Sequence, residues 1–326
     1  MLSLSNISVG YRRRTVLGNL NLSADECELV ALIGRNGAGK STLLRTIARL
    51  QPALSGEIML AGKRLDHYSR SELAGLLSMV STEPVSVSHL TVRQLVAFGR
   101  FPHTNWIGKL TANDIALVDE AMQLTGITSL SNKCLHEISD GERQRAMIAR
   151  TLAQDTALIL LDEPTAFLDM PNRYEVVHLL HRLTRTKRKT ILFSIHDLNI
   201  AMQEADKLWL MIDGELHEGA PEDLVLNRQF TRVFEGTKLQ FDDLKGEFNI
   251  RRNETQPITL AGEGNSFFWT QKALERLGYA VRKEENKHHA DIAVSGGATA
   301  LWTVNLRERQ VSFTTIYELS KYLSVH

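Results

Sequence analysis

The sequence predicts an α/β fold with a largely parallel sheet, followed by a second, smaller α/β domain. In the first part of the chain, short apolar runs typical of buried strands alternate with segments of helical spacing. A glycine-rich loop follows one of these runs and precedes a helix. After residue 235 the chain turns polar, and a shorter strand and helix pattern begins at Pro257. The predicted domains are residues 1–235 and residues 250–326.

The elements of the first domain follow from the spacing of their apolar residues. Residues 3–9 alternate as in a strand, residues 28–33 form a short apolar strand, and residues 40–50 have helical spacing. The other predicted strands are residues 76–80, 157–161, 190–195 and 207–212. The other predicted helices are residues 91–99, 111–124, 141–154 and 172–186. Asp213-Gly214 lies between apolar runs and predicts a hairpin turn.

The second domain repeats this alternation on a smaller scale. Its predicted strands are residues 258–261, 279–282, 291–294, 300–304 and 310–314, and its predicted helices are residues 267–277 and 316–324. We expect Trp269 and Trp302 in the core of this domain.

Composition excludes several classes of protein. Lys and Arg together number 38, as do Asp and Glu, so the formal net charge is zero and gives no support to nucleic-acid binding. Two cysteines, Cys27 and Cys134, are too few for a disulfide framework. No stretch approaches 18 apolar residues without charge, so we expect any membrane role to be peripheral.

The strongest local signal is the loop Gly34-Arg35-Asn36-Gly37-Ala38-Gly39-Lys40-Ser41, which matches G-x4-G-K-[ST] between a predicted strand and a predicted helix. Glycines let backbone N–H groups turn inward around phosphate oxygens, and the helix start adds its positive dipole end. Lys40 can reach the β- and γ-phosphates, and the Ser41 hydroxyl can bind Mg²⁺. The residues expected to hold the nucleotide phosphates are Gly34, Asn36, Gly37, Ala38, Gly39, Lys40, Ser41 and Thr42.

A second signal is the apolar strand Leu158-Ile159-Leu160-Leu161 that ends in Asp162-Glu163. Such a strand delivers carboxylates at its C-terminal end, where doubly wound folds place their ligands. We expect Asp162 to hold Mg²⁺ through water, and Glu163 to act as the general base that orients the attacking water. Taken alone, an acidic pair here is also compatible with a solvated strand end, and the upstream loop favours the catalytic interpretation.

Between these motifs, Ile138-Ser139-Asp140-Gly141-Glu142-Arg143-Gln144-Arg145 resembles the signature motif of ABC-type ATPases. The other motifs of that family follow in order over residues 1–235: Tyr11 at the adenine-stacking position, Ala166-Phe167-Leu168-Asp169 as the D-loop, and His196 as the switch histidine. The resemblance implies a P-loop NTPase fold with a helical signature subdomain. It also implies ATP and Mg²⁺ as cofactors, and Glu163, His196 and Lys40 as catalytic residues.

The resemblance further implies that two copies meet head to tail, with ATP between the phosphate loop of one copy and the signature helix of the other. Ser139 and Gly141 then contact the γ-phosphate held by the partner copy, a second helix N-terminus aimed at one anion. Asp169 belongs to the same shared site.

The sequence departs from the family pattern in two places. The signature has Asp140-Gly141 in place of a glycine pair and Glu142 where glutamine is commoner; Arg143 and Arg145 are candidates to offset Asp140. The glutamine that usually senses Mg²⁺ is absent, and either Thr82 or Glu83 takes its place as an oxygen ligand.

Residues 90–104, above all Gly99-Arg100-x-Pro102-His103, are similar to the ABC subfamily that serves importers of iron–siderophore, haem and cobalamin. This similarity implies an ATPase that powers import of a metal chelate, with ferric siderophore ranked above cobalamin or haem. Its implied partners are permease subunits and, indirectly, a substrate-binding protein, at the cytoplasmic face of the inner membrane.

A rival class is a soluble ABC-type ATPase that acts as a mechanical switch without a permease. Such chains usually carry two ATPase units or a long coiled-coil insertion, whereas this sequence has one unit and no heptad run. For residues 250–326 we expect a regulatory or dimer-stabilising role.

Overall fold

A computed structural model describes residues 1–11, 14–81, 89–104, 108–212, 214–233, 235–237, 239–243, 246–250, 256–295, 300–306 and 309–325. The chain divides into two units, Met1–Glu235 and Gly236–His326, which are described separately.

The described residues of the first unit form two sheets. Its strands are β1 (Leu2–Tyr11), β2 (Arg14–Ala24), β3 (Leu29–Ile33), β4 (Ser55–Leu60), β5 (Lys63–Arg64), β6 (Leu77–Val80), β7 (Leu158–Leu161), β8 (Thr190–Ile195), β9 (Lys207–Ile212) and β10 (Glu215–Gly219). One sheet is antiparallel, in the order β2-β1-β4-β5. The other has the order β10-β9-β3-β8-β7-β6, and all its neighbours run parallel except β9 and β10.

The parallel sheet sets the position of the predicted motifs. Every residue of β3, β7 and β8 is buried, as their apolar sequences require. Because these strands run parallel, their C-terminal ends meet at one edge of the sheet, where doubly wound folds bind ligands. The loop after β3, the acids after β7 and His196 after β8 therefore share that edge.

The helices of the first unit are α1 (Lys40–Ile47), α2 (Arg70–Leu76), α3 (Val92–Ala97), α4 (Ala112–Leu124), α5 (Asp140–Ala153), α6 (Met170–Thr186), α7 (Leu198–Glu204), α8 (Pro221–Leu226) and α9 (Gln229–Val233). Helices α3, α4 and α5 pack against one another as a helical layer. A 3₁₀ turn, Phe98–His103, follows α3 and contacts both α4 and α5.

The predicted hairpin joins β9 to β10, which pair antiparallel with Ile212 opposite Glu215. Gly214 has a φ of 87°, whereas Asp213 lies outside the described residues.

Where the structure describes the second unit, it forms a hairpin and one mixed sheet covered by two helices. Its strands are β11 (Leu239–Asp242), β12 (Glu247–Ile250), β13 (Gln256–Ala261), β14 (Tyr279–Lys283), β15 (Ile292–Ser295), β16 (Leu301–Leu306) and β17 (Arg309–Phe313), and its helices are α10 (Gly264–Leu277) and α11 (Ile316–Val325). The sheet order is β14-β13-β15-β16-β17. The core joins residues of the sheet, such as Leu260 and Ile292, to Leu274 of α10 and Leu319 of α11.

The expectation for the two tryptophans is half wrong. Trp302 is buried, and its indole N–H donates to Thr270 Oγ1 over 2.6 Å. Trp269 is instead 61% exposed and meets Phe268 edge to face. The buried side of α10 is formed by Thr270, Ala273 and Leu274. The helical spacing therefore turns Trp269 towards solvent.

Candidate nucleotide-binding and hydrolysis site

The phosphate loop connects β3 to α1. Gly39 precedes the helix with a φ of 107°, and a Cβ there would lie 2.7 Å from Val16 Cγ1, so the position excludes other residues on two grounds. Lys40 starts α1 and is buried; its ammonium donates to the carbonyl oxygens of Gly34 at 2.9 Å and Arg35 at 3.3 Å. The loop thus curls around the amine that is expected to meet the phosphates.

The charge of Lys40 is coupled to the acids after β7. Burial lowers the pKa of Lys40, and the negative charges of Glu163 and Asp162 oppose that effect. The phosphate loop and the acidic strand end, 122 residues apart in sequence between Lys40 and Asp162, therefore belong to one site.

An open cavity of about 610 Å³ lies beside the loop, a size suited to a nucleotide. Tyr11, Asn36, Gly37 and Ala38 are among the residues that line it. The Thr42 hydroxyl donates to the Tyr11 hydroxyl over 3.3 Å, which ties the half-exposed aromatic ring to α1.

Asp162 is held by a residue that the sequence motifs do not include. It is only 2% exposed, and its Oδ1 accepts a hydrogen bond of 2.8 Å from the Ser194 hydroxyl. The same hydroxyl accepts the backbone N–H of Glu163 over 2.8 Å. Ser194 lies on β8 and is fully buried, so this one group fixes both acids of the neighbouring strand.

The second oxygen of Asp162, Oδ2, is buried and has no hydrogen-bond partner among the described residues. Buried polar atoms are nearly always satisfied, so an orphaned carboxylate oxygen requires an explanation. A hard cation is the partner that a carboxylate oxygen suits, and the half-buried Ser41 adds a hydroxyl at the start of α1. The donor set therefore fits Mg²⁺.

Glu163 and His196 form a pair across the ends of β7 and β8. His196 Nε2 lies 2.8 Å from Glu163 Oε1, so the imidazole N–H donates to the carboxylate. Glu163 adopts a φ of 50°, which is uncommon for a side chain of this size and typical of functional sites. Both side chains remain partly accessible to solvent.

The signature residues lie at the start of α5, in the helical layer. The Ser139 hydroxyl accepts the N–H of Glu142 at 3.3 Å, and the Glu142 carboxylate accepts the Ser139 N–H at 2.8 Å, a reciprocal cap. The Ser139 hydroxyl also donates to the Glu142 carboxylate at 3.0 Å, and the two bonds that this carboxylate accepts from Ser139 lower the pKa of Glu142. Gly141 is buried in the first turn. Asp140 pairs with Arg143 at 3.2 Å, whereas Arg145 pairs with Glu175 of α6 and not with Asp140.

The D-loop leads into α6. Asp169 caps this helix and accepts hydrogen bonds from the Asn172 backbone at 3.1 Å and from its side-chain amide at 2.6 Å. Phe167, two residues earlier, is exposed. Thr82 and Glu83, the two candidates for the Mg²⁺-sensing position, lie outside the described residues.

Ser194 is the residue at this site that sequence reasoning missed. A signal was present, because a serine in the apolar run of residues 190–195 needs a buried hydrogen-bond partner.

The fold and the site together define a P-loop nucleotide-binding protein. Comparison with protein families gives two matches: residues 17–166 fit the ABC transporter family, and residues 255–324 fit the iron ABC transporter C-terminal domain. The second match lies within the second predicted domain, residues 250–326.

Comparison with an individual protein also indicates the ABC transporter family. The ferric enterobactin transport ATP-binding protein FepC of Escherichia coli is 38% identical over 229 residues, which is 70% of this chain and 84% of FepC. The chain belongs to the ABC transporter family, as one of its ATP-binding proteins, and both the predicted family and the predicted fold class are confirmed.

Two solved structures are also similar. One is described as an inward-facing metal-chelate type ABC transporter, with a TM-score of 0.64, 26% identity, and coverage of 76% of this chain and 94% of that chain. The other is a dimeric ATP-binding cassette in a post-hydrolysis state, bound to ADP and Pi, with a TM-score of 0.58, 26% identity, and coverage of 68% and 99%. Over the described part of this chain, none of the helices is both long and apolar enough to cross a membrane.

Proposed function

We propose that this chain is the ATP-hydrolysing subunit of an importer, and that it powers passage of an iron chelate of the ferric siderophore class through a membrane permease. The observation that carries the hydrolytic part is the Glu163–His196 pair beside the buried Lys40. A chain that only bound nucleotide would not need a carboxylate held in this position.

The residues divide the chemistry between them. The Lys40 ammonium exchanges its bonds to the loop carbonyls for phosphate oxygens, and the backbone of residues 34–41 cradles the same phosphates. Glu163 orients a water for attack on the γ-phosphorus and takes up its proton as the bond to the β-phosphate oxygen breaks. Before ATP binds, the Nε2–H of His196 holds the Glu163 carboxylate in place; with ATP bound, the same N–H turns to donate a hydrogen bond to the γ-phosphate.

Mg²⁺ belongs to this proposal through Asp162 and Ser41. The orphaned Oδ2 of Asp162 is the supporting observation, since a cation would satisfy it directly or through water. The ion would neutralise phosphate charge. Ser194 keeps Asp162 oriented for this role.

Two copies of the chain would complete the site. Ser139 caps a helix in a different layer from the phosphate loop, and the similarity to a dimeric cassette supports its use on the partner copy's nucleotide. To donate to a γ-phosphate, the Ser139 hydroxyl must turn away from Glu142. Loss of the phosphate would then release the two copies, a switch driven by differential contacts.

The transport partner is proposed from the relatives and from one surface. Phe98 and Phe101 of the 3₁₀ turn are 44% and 63% exposed, and they stack edge to face with centroids 5.9 Å apart. By the resemblance of residues 90–104 to the importer subfamily, this turn receives a helix of the permease at the cytoplasmic face of the inner membrane. The printed names of the relatives and of the C-terminal domain support iron as the cargo. A separate substrate-binding protein would deliver the chelate.

The C-terminal domain is proposed to regulate the ATPase or to stabilise its dimer. It has its own core, separate from that of the first unit. Deletion of residues 250–326 should therefore change dimerisation, ATP hydrolysis or transport while the first unit stays folded. Unchanged values of all three would contradict this role.

Phosphate release and membrane fractionation test the main proposal. The purified full chain with Mg²⁺ should release phosphate from ATP, and Glu163→Gln should not. The chain should sediment with membranes only when a cognate permease is co-expressed. Sedimentation that ignores the permease, or hydrolysis that survives Glu163→Gln, would contradict the proposal.

A further inference from the structure

The motif Gly99-Arg100-x-Pro102-His103 forms hydrogen bonds with the C-terminal end of α5, a contact that its sequence does not reveal. Arg100 Nη1 donates to the carbonyl oxygens of Ala153 at 2.8 Å and Gln154 at 3.4 Å. His103 Nε2 donates to the Gln154 carbonyl at 3.0 Å. These are carbonyls that a helix end leaves without partners, and a cation there also complements the helix dipole.

Gly99 allows this close contact between the turn and α5. A Cβ on this residue would lie 2.1 Å from the Arg150 carbonyl oxygen, so only glycine lets the turn lie against α5. The turn and the helix end are therefore in direct backbone contact.

The other side of Arg100 is anchored to α4. Its Nε donates to Asp114 Oδ1 over 2.8 Å, and both side chains are buried. Asp114 Oδ2 in turn accepts the Thr111 N–H at 2.8 Å and the Thr111 hydroxyl at 2.6 Å. One planar guanidinium thus bridges the start of α4 and the end of α5, a geometry that a lysine ammonium cannot reproduce at both ends.

The opposite end of α5 carries the signature residues. The helix has 14 residues, about 21 Å at the standard rise, and Ser139 caps its first turn. We treat a helix of this length as a rigid body. The hydrogen bonds at Ala153 and Gln154 therefore also determine the position of Ser139 at its other end.

We propose that Arg100 and His103 are positioning residues, which hold the signature helix by its C-terminal carbonyls and link it to the exposed Phe98–Phe101 pair on the same turn. When a permease contacts that pair and moves the turn, α5 moves with it. The position of Ser139 relative to the partner copy's γ-phosphate then changes. This inference rests on the proposed function, because it assumes that Ser139 engages nucleotide across a dimer.

The test uses the full chain with Glu163→Gln, so that bound ATP is not consumed, and measures ATP-driven dimerisation by sedimentation. Arg100→Lys should raise the dimer Kd about tenfold, the loss expected for one charge-assisted hydrogen bond. ATP affinity of the monomer should change less than about twofold, because the phosphate loop is untouched. The matched control is Arg93→Lys, since Arg93 forms an exposed pair with Asp119 at 2.5 Å, between α3 and α4. Its dimer Kd should not change.

A second pair of variants covers the case in which Arg100→Lys fails to fold. His103 is exposed, so His103→Ala should fold normally and raise the dimer Kd about threefold. His103→Gln keeps an N–H donor for the Gln154 carbonyl and should restore most of the affinity. A merely structural role would lower the melting temperature without this pattern of loss and rescue.

The outcomes separate the two proposals. If the Glu163→Gln parent does not dimerise with ATP, the proposed shared site is wrong, and the positioning role falls with it. If the parent dimerises but Arg100→Lys and His103→Ala do so equally well, or Arg93→Lys loses as much, the positioning role alone is overturned.

Discussion

Replacement of Ser194 by alanine should damage both stability and catalysis, because this hydroxyl makes two buried bonds at the acidic end of β7. The variant removes the donor to Asp162 Oδ1 and leaves the Glu163 N–H without its acceptor. A hydrogen bond to a charged group contributes about 1.5–3 kcal/mol, and an unsatisfied buried donor costs about 1–3 kcal/mol. Since the two bonds share one atom, we expect a total near 3 kcal/mol rather than their sum.

This loss converts into measurable quantities. For a unit of this size, 3 kcal/mol lowers the melting temperature by about 6–12 °C. The kcat for ATP should fall at least tenfold, because displacement of catalytic groups by about 1 Å can cost up to a hundredfold. Thermal unfolding by circular dichroism and phosphate release in the folded range give the two values.

Ser78→Ala is the matched control. Ser78 is also buried in the parallel sheet, on β6, and its hydroxyl lies 2.7 Å from that of Thr156. Loss of this neutral bond should cost about 1 kcal/mol and leave kcat unchanged. If Ser194→Ala and Ser78→Ala shift the melting temperature equally and neither alters kcat, the positioning role of Ser194 is refuted.

Three further predictions concern single residues. Glu163→Gln should retain ATP in a filter-binding assay yet lose hydrolysis by orders of magnitude, since the water-orienting base is gone; near-normal turnover would exclude that role. Lys40→Ala should weaken ATP binding itself, and full affinity in the same assay would reject its assignment to the phosphates. Bonds from Thr111 and Arg100 lower the pKa of Asp114 from 3.8 to about 2. Its contribution to stability is therefore present above about pH 4 and is lost as the pH falls towards 2. Asp114→Asn should flatten this part of the acid-unfolding profile; an unchanged slope would contradict it.

Much of the site could be predicted because its chemistry is local in sequence. The phosphate loop needs glycines, a lysine and a hydroxyl within eight residues, and the structure places this run between β3 and α1 as predicted. The predicted buried strands agree with β3, β7, β8 and β9 to within a residue or so, since a fully buried strand leaves a continuous apolar run.

Strands with one polar side were harder to find. Strands β2 and β4 were not predicted from the sequence; they pair with β1 and leave several residues exposed. The pairing of β1 with β2 also shifts register several times, which breaks the alternation that would mark a strand. Such elements are set by their partner strand and not by their own pattern.

Contacts between residues far apart in the chain could not be predicted from the sequence. The role of Arg100 depends on its hydrogen bonds to carbonyl oxygens 53 and 54 residues away and to an aspartate 14 residues away. The exposure of Trp269 likewise depends on which side of α10 faces the sheet. No spacing rule within one segment contains that information.

The most direct measurement is uptake of a radiolabelled ferric siderophore by vesicles that contain the chain together with its permease and ATP on the cytoplasmic side. We predict uptake that requires ATP and the wild-type chain, and none with Glu163→Gln although that variant still binds ATP. Uptake that continues undiminished with Glu163→Gln would contradict the account, and so would a wild-type complex that hydrolyses ATP but moves no chelate.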